Sequence, residues 1–128
     1  MAIRCLIVDD SPRFAQVAVE LLEEDGIDVL GVADGGDEAL RLARELRPDL
    51  ALVDIDLGAE NGLDVARRLC SGEHGVLARA VILISTHAEE EFAELIAASP
   101  AVGFLAKAEL SADAIEALLG GSERARTP

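Results

Sequence analysis

The chain alternates short apolar runs with longer segments in which apolar residues are spaced as in a helix. Mainly apolar runs, in which Arg4 and Asp28 are the only charged residues, occupy residues 3–8, 27–33, 50–53, 80–84 and 102–106. A run of this length without polar alternation is typical of a strand that is buried on both faces. Between the runs, apolar residues recur every three or four positions, which predicts amphipathic helices.

The helical segments carry residue types that begin and end helices. Ser11 and Pro12 are typical of a helix N-terminus, and Gly26 is typical of the end of that helix. The same periodicity predicts a second helix that stops before Pro48, a third around residues 63–69, a fourth over residues 88–98 and a fifth over residues 111–119. Five strand-then-helix units predict an α/β fold, a doubly wound parallel sheet with helices on both faces.

Composition narrows the class of protein. At 128 residues the chain is long enough for one domain with a core, and its formal net charge of −14 argues against binding to a phosphate backbone. The two cysteines lack metal-ligand spacing and are expected to be reduced thiols. No secretory signal and no run of membrane-spanning length is found, so a cytoplasmic protein is expected.

Polar residues follow the apolar runs where each predicted strand ends. In a doubly wound sheet, ligands bind beyond the carboxyl ends of the strands. Two carboxylates at the end of a buried strand cost solvation free energy unless a cation meets them. The residues at these ends are Asp9 and Asp10, Asp54 and Asp56, Ser85 and Thr86, and Lys107, which is the only lysine in the chain.

Four stretches of the chain together identify a family resemblance. They are LIVDDS from residue 6, LVDIDLGAENGLDV from residue 52, VILISTHAEEE from residue 81 and GFLAKAEL from residue 103. The sequence resembles the receiver domain of response regulators in two-component signalling, over residues 3–119. The resemblance implies a flavodoxin-like fold with strand order 2-1-3-4-5 and a receiver domain over residues 1–120. The polar composition of residues 121–128 predicts a disordered tail.

The resemblance also implies a phosphorylation site that depends on Mg²⁺. Asp54 matches the phosphoacceptor of the family, although an aspartate at this place can also simply cap a helix. Asp9 and Asp10 match the acidic pair that holds Mg²⁺. By resemblance, Asp10 and Asp54 bind the ion directly, the backbone carbonyl of Asp56 completes the protein ligands, and Asp9 acts largely through water.

Three further positions match residues that respond to the phosphoryl group. Lys107 matches the lysine that reaches the phosphoryl oxygens. The family's spacing from hydroxyl to lysine selects Ser85, with Thr86 in reserve. Phe104 matches the aromatic switch residue, and a core phenylalanine is the alternative. In the implied mechanism Ser85 moves to the phosphoryl group, Phe104 turns into the space left behind, and the face of helix four, strand five and helix five changes shape.

Asp56 and His87 occupy variable positions that, in this family, flank the phosphoryl group and tune its hydrolysis. Asp56 can orient or repel the attacking water, and His87 can block it or titrate near neutral pH; the direction of either effect is left open. The sequence departs from the family at Gly58 and at Ala108, where proline is frequent.

The implied function is that of a signalling switch. A histidine kinase or phosphotransfer protein donates the phosphoryl group, and a downstream protein or an output domain receives the signal. The protein is expected to catalyse only its own phosphorylation and dephosphorylation, and so not to act as an enzyme on other substrates. It is either a stand-alone receiver or a piece of a longer regulator. The alternatives are a pseudo-receiver that is never phosphorylated and, more remotely, a phosphatase of the haloacid dehalogenase type.

Overall fold

Five parallel strands form the central sheet of the computed structural model, which describes residues 3–71, 77–87 and 89–126. Along the sheet the strand order is β2-β1-β3-β4-β5, which confirms the predicted flavodoxin-like, doubly wound topology. The strands are β1 (Arg4–Val8), β2 (Asp28–Ala33), β3 (Leu50–Asp54), β4 (Ala80–Ser85) and β5 (Gly103–Ala106).

Helices cover both faces of this sheet. The α-helices are α1 (Pro12–Glu24), α2 (Gly36–Leu46), α3 (Gly62–Ser71), α4 (Ala93–Ala97) and α5 (Ala112–Arg126), with 3₁₀ turns at Glu89–Phe92 and Lys107–Glu109. Buried residues of α2 and α3 pack on one face, and buried residues of α1 and α5 pack on the other. The strands between them are therefore buried on both sides, which explains why their sequence does not alternate.

Strand register brings the predicted site residues to one edge of the sheet. Val8 pairs with Val53, and Asp54 pairs with Ile84. Ser85 pairs with Ala106, the residue before Lys107. Because all strands run in the same direction, the residues that close them meet at the carboxyl edge.

The fourth helix is shorter than the sequence predicts. The prediction covered residues 88–98, of which residue 88 lies outside the described residues. A 3₁₀ turn occupies Glu89–Phe92, and α-helix extends only over Ala93–Ala97. No residue of α4 is buried. Most helical stability in proteins comes from packing of an apolar face. Phe92 and Ile96 pack against the core but are only partly buried, so this segment gives a longer helix little support.

The fifth helix is longer than predicted and reaches into the segment that was expected to be a disordered tail. Helix α5 continues through residues 121–126, and residues 127 and 128 lie outside the described part of the chain. Glutamate, arginine and alanine after the glycine pair are good helix formers, which favours this continuation. The domain boundary at residue 120 stays a prediction. No helix in the described ranges has the length and apolar character needed to span a bilayer.

Candidate functional site

A small hairpin separates β3 from α3 and forms one wall of the site. Its strands, Asp56–Leu57 and Glu60–Asn61, pair antiparallel, with Asp56 opposite Asn61. Gly58 lies between them in the left-handed region, at φ +67, which glycine adopts without steric cost. The side-chain oxygen of Asn61 accepts a hydrogen bond from the backbone N–H of Leu63 at 2.8 Å and so caps α3. Apolar periodicity did not predict this hairpin.

Three carboxylates converge at the carboxyl edge. Asp9, Asp10 and Asp54 each offer an oxygen, and these oxygens lie within 4.8 Å of one another. Asp9 is 2% exposed and Asp54 is 5% exposed, whereas Asp10 faces solvent. Burial removes water that would otherwise stabilise the two inner charges, so they require a positive partner.

Lys107 supplies that partner from the end of β5. Its Nζ lies 2.7 Å from Oδ2 of Asp9 and 3.0 Å from Oδ2 of Asp54. The same Nζ stands 4.4 Å from the centre of the Phe14 ring, at the start of α1. The family resemblance predicts that Lys107 reaches the phosphoryl oxygens. The structure shows that its positive charge also pairs with the negative charges of both buried carboxylates.

Backbone N–H groups hold the outer oxygen of each buried carboxylate. Oδ1 of Asp54 accepts from the N–H of Asp56 at 3.0 Å, and Oδ1 of Asp9 accepts from the N–H of Ser11 at 2.8 Å. Oδ2 of Asp9 faces the Lys107 ammonium in the 2.7 Å ion pair. Within the described residues this buried oxygen has no hydrogen-bond partner. The cluster therefore retains unused acceptor capacity.

Burial and pairing shift the protonation equilibria of the reacting groups. Burial raises the pKa of Asp54, and the opposing effects of Lys107 and the Asp56 N–H do not cancel it. Burial alone would lower the pKa of Lys107, but its contacts with Asp9 and Asp54 outweigh that effect and raise the pKa. The positive charge on Lys107 is therefore strongly favoured while both carboxylates are ionised.

The two candidates for the hydroxyl position, Ser85 and Thr86, lie in different surroundings, and the choice between them stays a prediction. Ser85 is fully buried at the end of β4, and its Oγ accepts a hydrogen bond from the N–H of His87 at 3.0 Å. Thr86 is exposed. Since Ser85 acts as the acceptor in that bond, its own hydroxyl proton remains available to a ligand at the carboxyl edge.

His87 and Phe104 lie on the side of the site formed by β5 and the segment before α4. The imidazole Nδ1 of His87 lies 3.2 Å from a carboxylate oxygen of Glu91, and its ring meets Phe92 edge to face. Phe104 is partly buried and lines, with His87 and Thr86, a cavity of about 490 Å³. The cavity provides open space beside the predicted switch residue.

The residues present fit a hard divalent cation. Carboxylate oxygens are the ligands that Mg²⁺ prefers, and two of the three carboxylates are anchored by backbone hydrogen bonds. Oδ2 of Asp9, which has the Lys107 ammonium beside it but no hydrogen bond within the described residues, can still accept from an ion or its waters, and so can the exposed carboxylate of Asp10. The role of the Asp56 carbonyl as a ligand stays a prediction.

Comparison with known proteins identifies the family. The family described as "Response regulator receiver domain" matches residues 5–119. The chain belongs to this family. Receiver domains among its relatives include part of the response regulator GacA of Pseudomonas viridiflava, 31% identical over 91% of this chain and 53% of that protein. The positive alginate biosynthesis regulatory protein of Pseudomonas aeruginosa is 42% identical over 88% of this chain and 44% of that protein.

Solved receiver structures agree with the fold. The signal receiver domain of NarL from Mycobacterium tuberculosis superposes with a TM-score of 0.79 at 31% identity, and the match covers 95% of this chain and 97% of that one. The chain spans about half the length of the curated relatives it matches.

The receiver site contains residues that sequence reasoning predicted and residues that it missed. Asp9, Asp10, Asp54 and Lys107 are brought together as predicted, and Ser85 closes the neighbouring strand. Sequence reasoning missed the packing of Phe14 beneath Lys107 and the contact of Glu60 with α2. The glycine pair at residues 35 and 36 is the signal that could have pointed to a close approach at α2.

Proposed function

We propose that this receiver accepts a phosphoryl group on Asp54 and relays the change to a partner through the α4, β5 and α5 face. The observation that carries the proposal is the placement of the Asp54 carboxylate between an acidic pair and Lys107 at the carboxyl edge. Family membership supports the same chemistry. Asp54 is largely buried and closes β3, so in this proposal the donor approaches from beyond the strand ends.

In the proposed transfer, a carboxylate oxygen of Asp54 forms a bond to phosphorus while the bond from phosphorus to the donor breaks. The donor is a phosphorylated histidine of a kinase or phosphotransfer protein, whose ring nitrogen leaves with the bonding electron pair and takes up a proton. The Asp56 N–H orients the Asp54 carboxylate through Oδ1. A bound Mg²⁺ would be held by Asp10, Asp54 and the backbone carbonyl of Asp56, and by Asp9 largely through water. It would neutralise negative charge on the phosphoryl oxygens.

In this proposal, Lys107 and Ser85 both contact the phosphoryl group once Asp54 is phosphorylated. Phosphorylation adds negative charge and strong acceptors at Asp54, so the Lys107 ammonium exchanges a carboxylate oxygen for a phosphoryl oxygen. The free hydroxyl proton of Ser85 donates to a second phosphoryl oxygen. Phe104 then moves within the cavity beside it, which alters the face that carries α4. Asp56 and His87 flank the phosphoryl group and tune its hydrolysis.

The proposed role defines the partners and excludes turnover of other substrates. A sensor histidine kinase or phosphotransfer protein donates, and a downstream protein or an output domain of a longer regulator receives the signal. We propose a cytoplasmic protein, as is usual for the family, that acts on its own aspartate alone. No release of phosphate from a phosphomonoester such as p-nitrophenyl phosphate is therefore expected.

The test is intact mass spectrometry after incubation with acetyl phosphate and Mg²⁺. The wild type should gain one phosphoryl group, and the gain should disappear with EDTA and in Asp54→Asn. Asp28→Asn removes an equal charge from an exposed position at the other end of the sheet and should leave the gain intact. If the wild type gains no phosphoryl group from acetyl phosphate or phosphoramidate, the chain is a pseudo-receiver.

A further inference from the structure

Glu60 links the hairpin of the site to the start of α2. Its carboxylate oxygens Oε1 and Oε2 lie 3.0 and 3.2 Å from the backbone N–H nitrogen of Gly36, and both accept from it. The first N–H groups of a helix have no partner within the helix, and a negative charge is favoured near them. Glu60 therefore satisfies a helix terminus from a different part of the chain.

Two adjacent glycines make room for this carboxylate. A Cβ at Gly35 would lie 2.7 Å from Oε1 of Glu60, and a Cβ at Gly36 would lie 2.5 Å from Oε2. Gly35 has an extended backbone, at φ −167, which any residue can adopt. The space that these glycines leave is thus filled by the Glu60 carboxylate, and a side chain at either position would make that carboxylate shift.

The hairpin that Glu60 anchors touches two of the site carboxylates. The N–H of Asp56 donates to Oδ1 of Asp54 at 3.0 Å. At the turn, a Cβ on Gly58 would lie 3.3 Å from Oδ2 of Asp10, so the hairpin backbone lies against that side chain. At its other end Asn61 caps α3. Movement of the hairpin would therefore displace groups that fix the geometry of the acidic cluster.

We propose that Glu60 is a positioning residue that fixes the hairpin against α2 and thereby sets the affinity of the acidic cluster for Mg²⁺. This inference rests on the proposed function, because it concerns the cation of the same site. Glu60 itself contributes no ligand in this proposal. It acts through Asp56 and Gly58, which hold the carboxylates of Asp54 and Asp10 in place.

The direct test is the Mg²⁺ dissociation constant of Glu60→Ala, measured by isothermal titration calorimetry and by NMR shifts of the backbone amides of the hairpin. Loss of an outer partner of a metal site lowers affinity by about tenfold, and that loss is expected here. With acetyl phosphate, phosphorylation of Asp54 should slow by the same factor at limiting Mg²⁺ and stay within about twofold at saturating Mg²⁺. Glu60→Gln keeps an acceptor for Gly36 and should retain most of the affinity.

Gly36→Ala tests the same contact without removing the carboxylate. Its Cβ would displace Glu60, so Mg²⁺ affinity should fall as in Glu60→Ala, although alanine has the better helix propensity. The double variant should bind Mg²⁺ no more weakly than either single variant, because both remove one contact. Glu24→Ala removes an equal charge from an exposed position on α1 and should leave the affinity unchanged.

The outcomes separate this inference from the proposed function. If Glu60→Ala and Gly36→Ala bind Mg²⁺ as the wild type does, Glu60 is not a positioning residue, even where the melting temperature falls. Equal losses in Glu60→Ala and Glu24→Ala would assign the effect to net charge and would also overturn the proposal. If the wild type is not phosphorylated at Asp54, the proposed function is refuted. The calorimetric test would still show whether Glu60 affects the affinity for Mg²⁺, because it does not depend on phosphorylation.

Discussion

The two edges of the sheet use charged residues in opposite ways. At the carboxyl edge, the buried carboxylates of Asp9 and Asp54 contact the largely buried ammonium of Lys107. At the amino edge, exposed Arg4 donates from its guanidinium to the carbonyl oxygens of Leu46 and Arg47, at 2.7 and 2.8 Å, at the end of α2. At the carboxyl edge, oppositely charged side chains contact one another away from water. At the amino edge, a charged side chain in contact with water donates to the carbonyl groups of a helix end.

This difference separates a reactive site from a structural one. At the amino edge each ion keeps its solvation, so its contacts stabilise a helix end by modest amounts that salt screens. At the carboxyl edge the ions have lost water and depend on each other, so removing one leaves the others uncompensated. A phosphoryl group or a cation that binds at the carboxyl edge changes the net charge there, and we therefore expect it to have a large effect on the contacts among these side chains.

The largest effect is expected from Lys107→Met. It leaves Asp9 and Asp54 buried without their cation, and loss of one partner from a buried pair costs about 3–5 kcal/mol. Urea denaturation in EDTA at neutral pH should show that loss in the free energy of unfolding. Arg68→Met removes an equal charge from an exposed position and should change it by less than about 0.5 kcal/mol. A loss below about 1 kcal/mol for Lys107→Met would mean that burial does not distinguish the two edges.

The contacts of Lys107 with Asp9 and Asp54 also predict that the free energy of unfolding depends on pH in the alkaline range. Contacts with Asp9 and Asp54 raise the pKa of Lys107 above its ordinary value of 10.5 in the folded state. Its stabilising contribution is therefore fully present below pH 10.5 and is lost as the pH rises through the folded-state pKa. The chain has no tyrosine. As the pH rises above 10.5, the urea midpoint of the wild type should fall relative to that of Lys107→Met. If the two midpoints change with pH in the same way, Lys107 is not stabilised by these carboxylates.

A smaller effect is expected at the amino edge from Arg4→Ala. Two hydrogen bonds to the end of α2 are lost, but the freed carbonyls can bond to water, so the free energy of unfolding should fall by about 1 kcal/mol. Mg²⁺ affinity should be unchanged, because the substitution lies at the opposite edge from the acidic cluster. A shift in Mg²⁺ affinity as large as that expected for Glu60→Ala would show that the edges are coupled.

The smallest effect is expected from Arg47→Gly, and its sign is positive. Arg47 ends α2 in the left-handed region, at φ 51, where a side chain is unfavourable and glycine is preferred. Its carbonyl oxygen can still accept from Arg4 in the variant. The free energy of unfolding should rise by about 0.5 kcal/mol in chemical denaturation. A decrease would show that the arginine side chain itself stabilises this edge.

The sequence was sufficient to predict the parallel sheet and the residues that close its strands. Buried parallel strands have uninterrupted apolar runs, and the first polar residue after each run must lie at one shared edge. Asp9, Asp54, Ser85 and Lys107 were found in this way. The roles of these residues were inferred from the four sequence stretches that resemble the receiver family, and not from the spacing of apolar residues.

Contacts that depend on loop geometry could not be predicted in this way. Glu60 is one of 25 acidic residues, and nothing in its local pattern separates it from a solvated carboxylate. Its partner Gly36 is 24 positions away, and their meeting depends on a hairpin of two-residue strands. The fourth helix was predicted too long because its apolar spacing continues although no residue of α4 is buried.

The most direct test of the phosphorylation site is chemical mapping of the modified residue. After reaction with acetyl phosphate and Mg²⁺, borohydride reduces an aspartyl phosphate to homoserine, which tandem mass spectrometry locates in a peptide. Conversion of residue 54 alone is predicted, with none when EDTA is present. Conversion of another carboxylate, or of none, would contradict the assignment of Asp54 as the phosphoacceptor at the carboxyl edge.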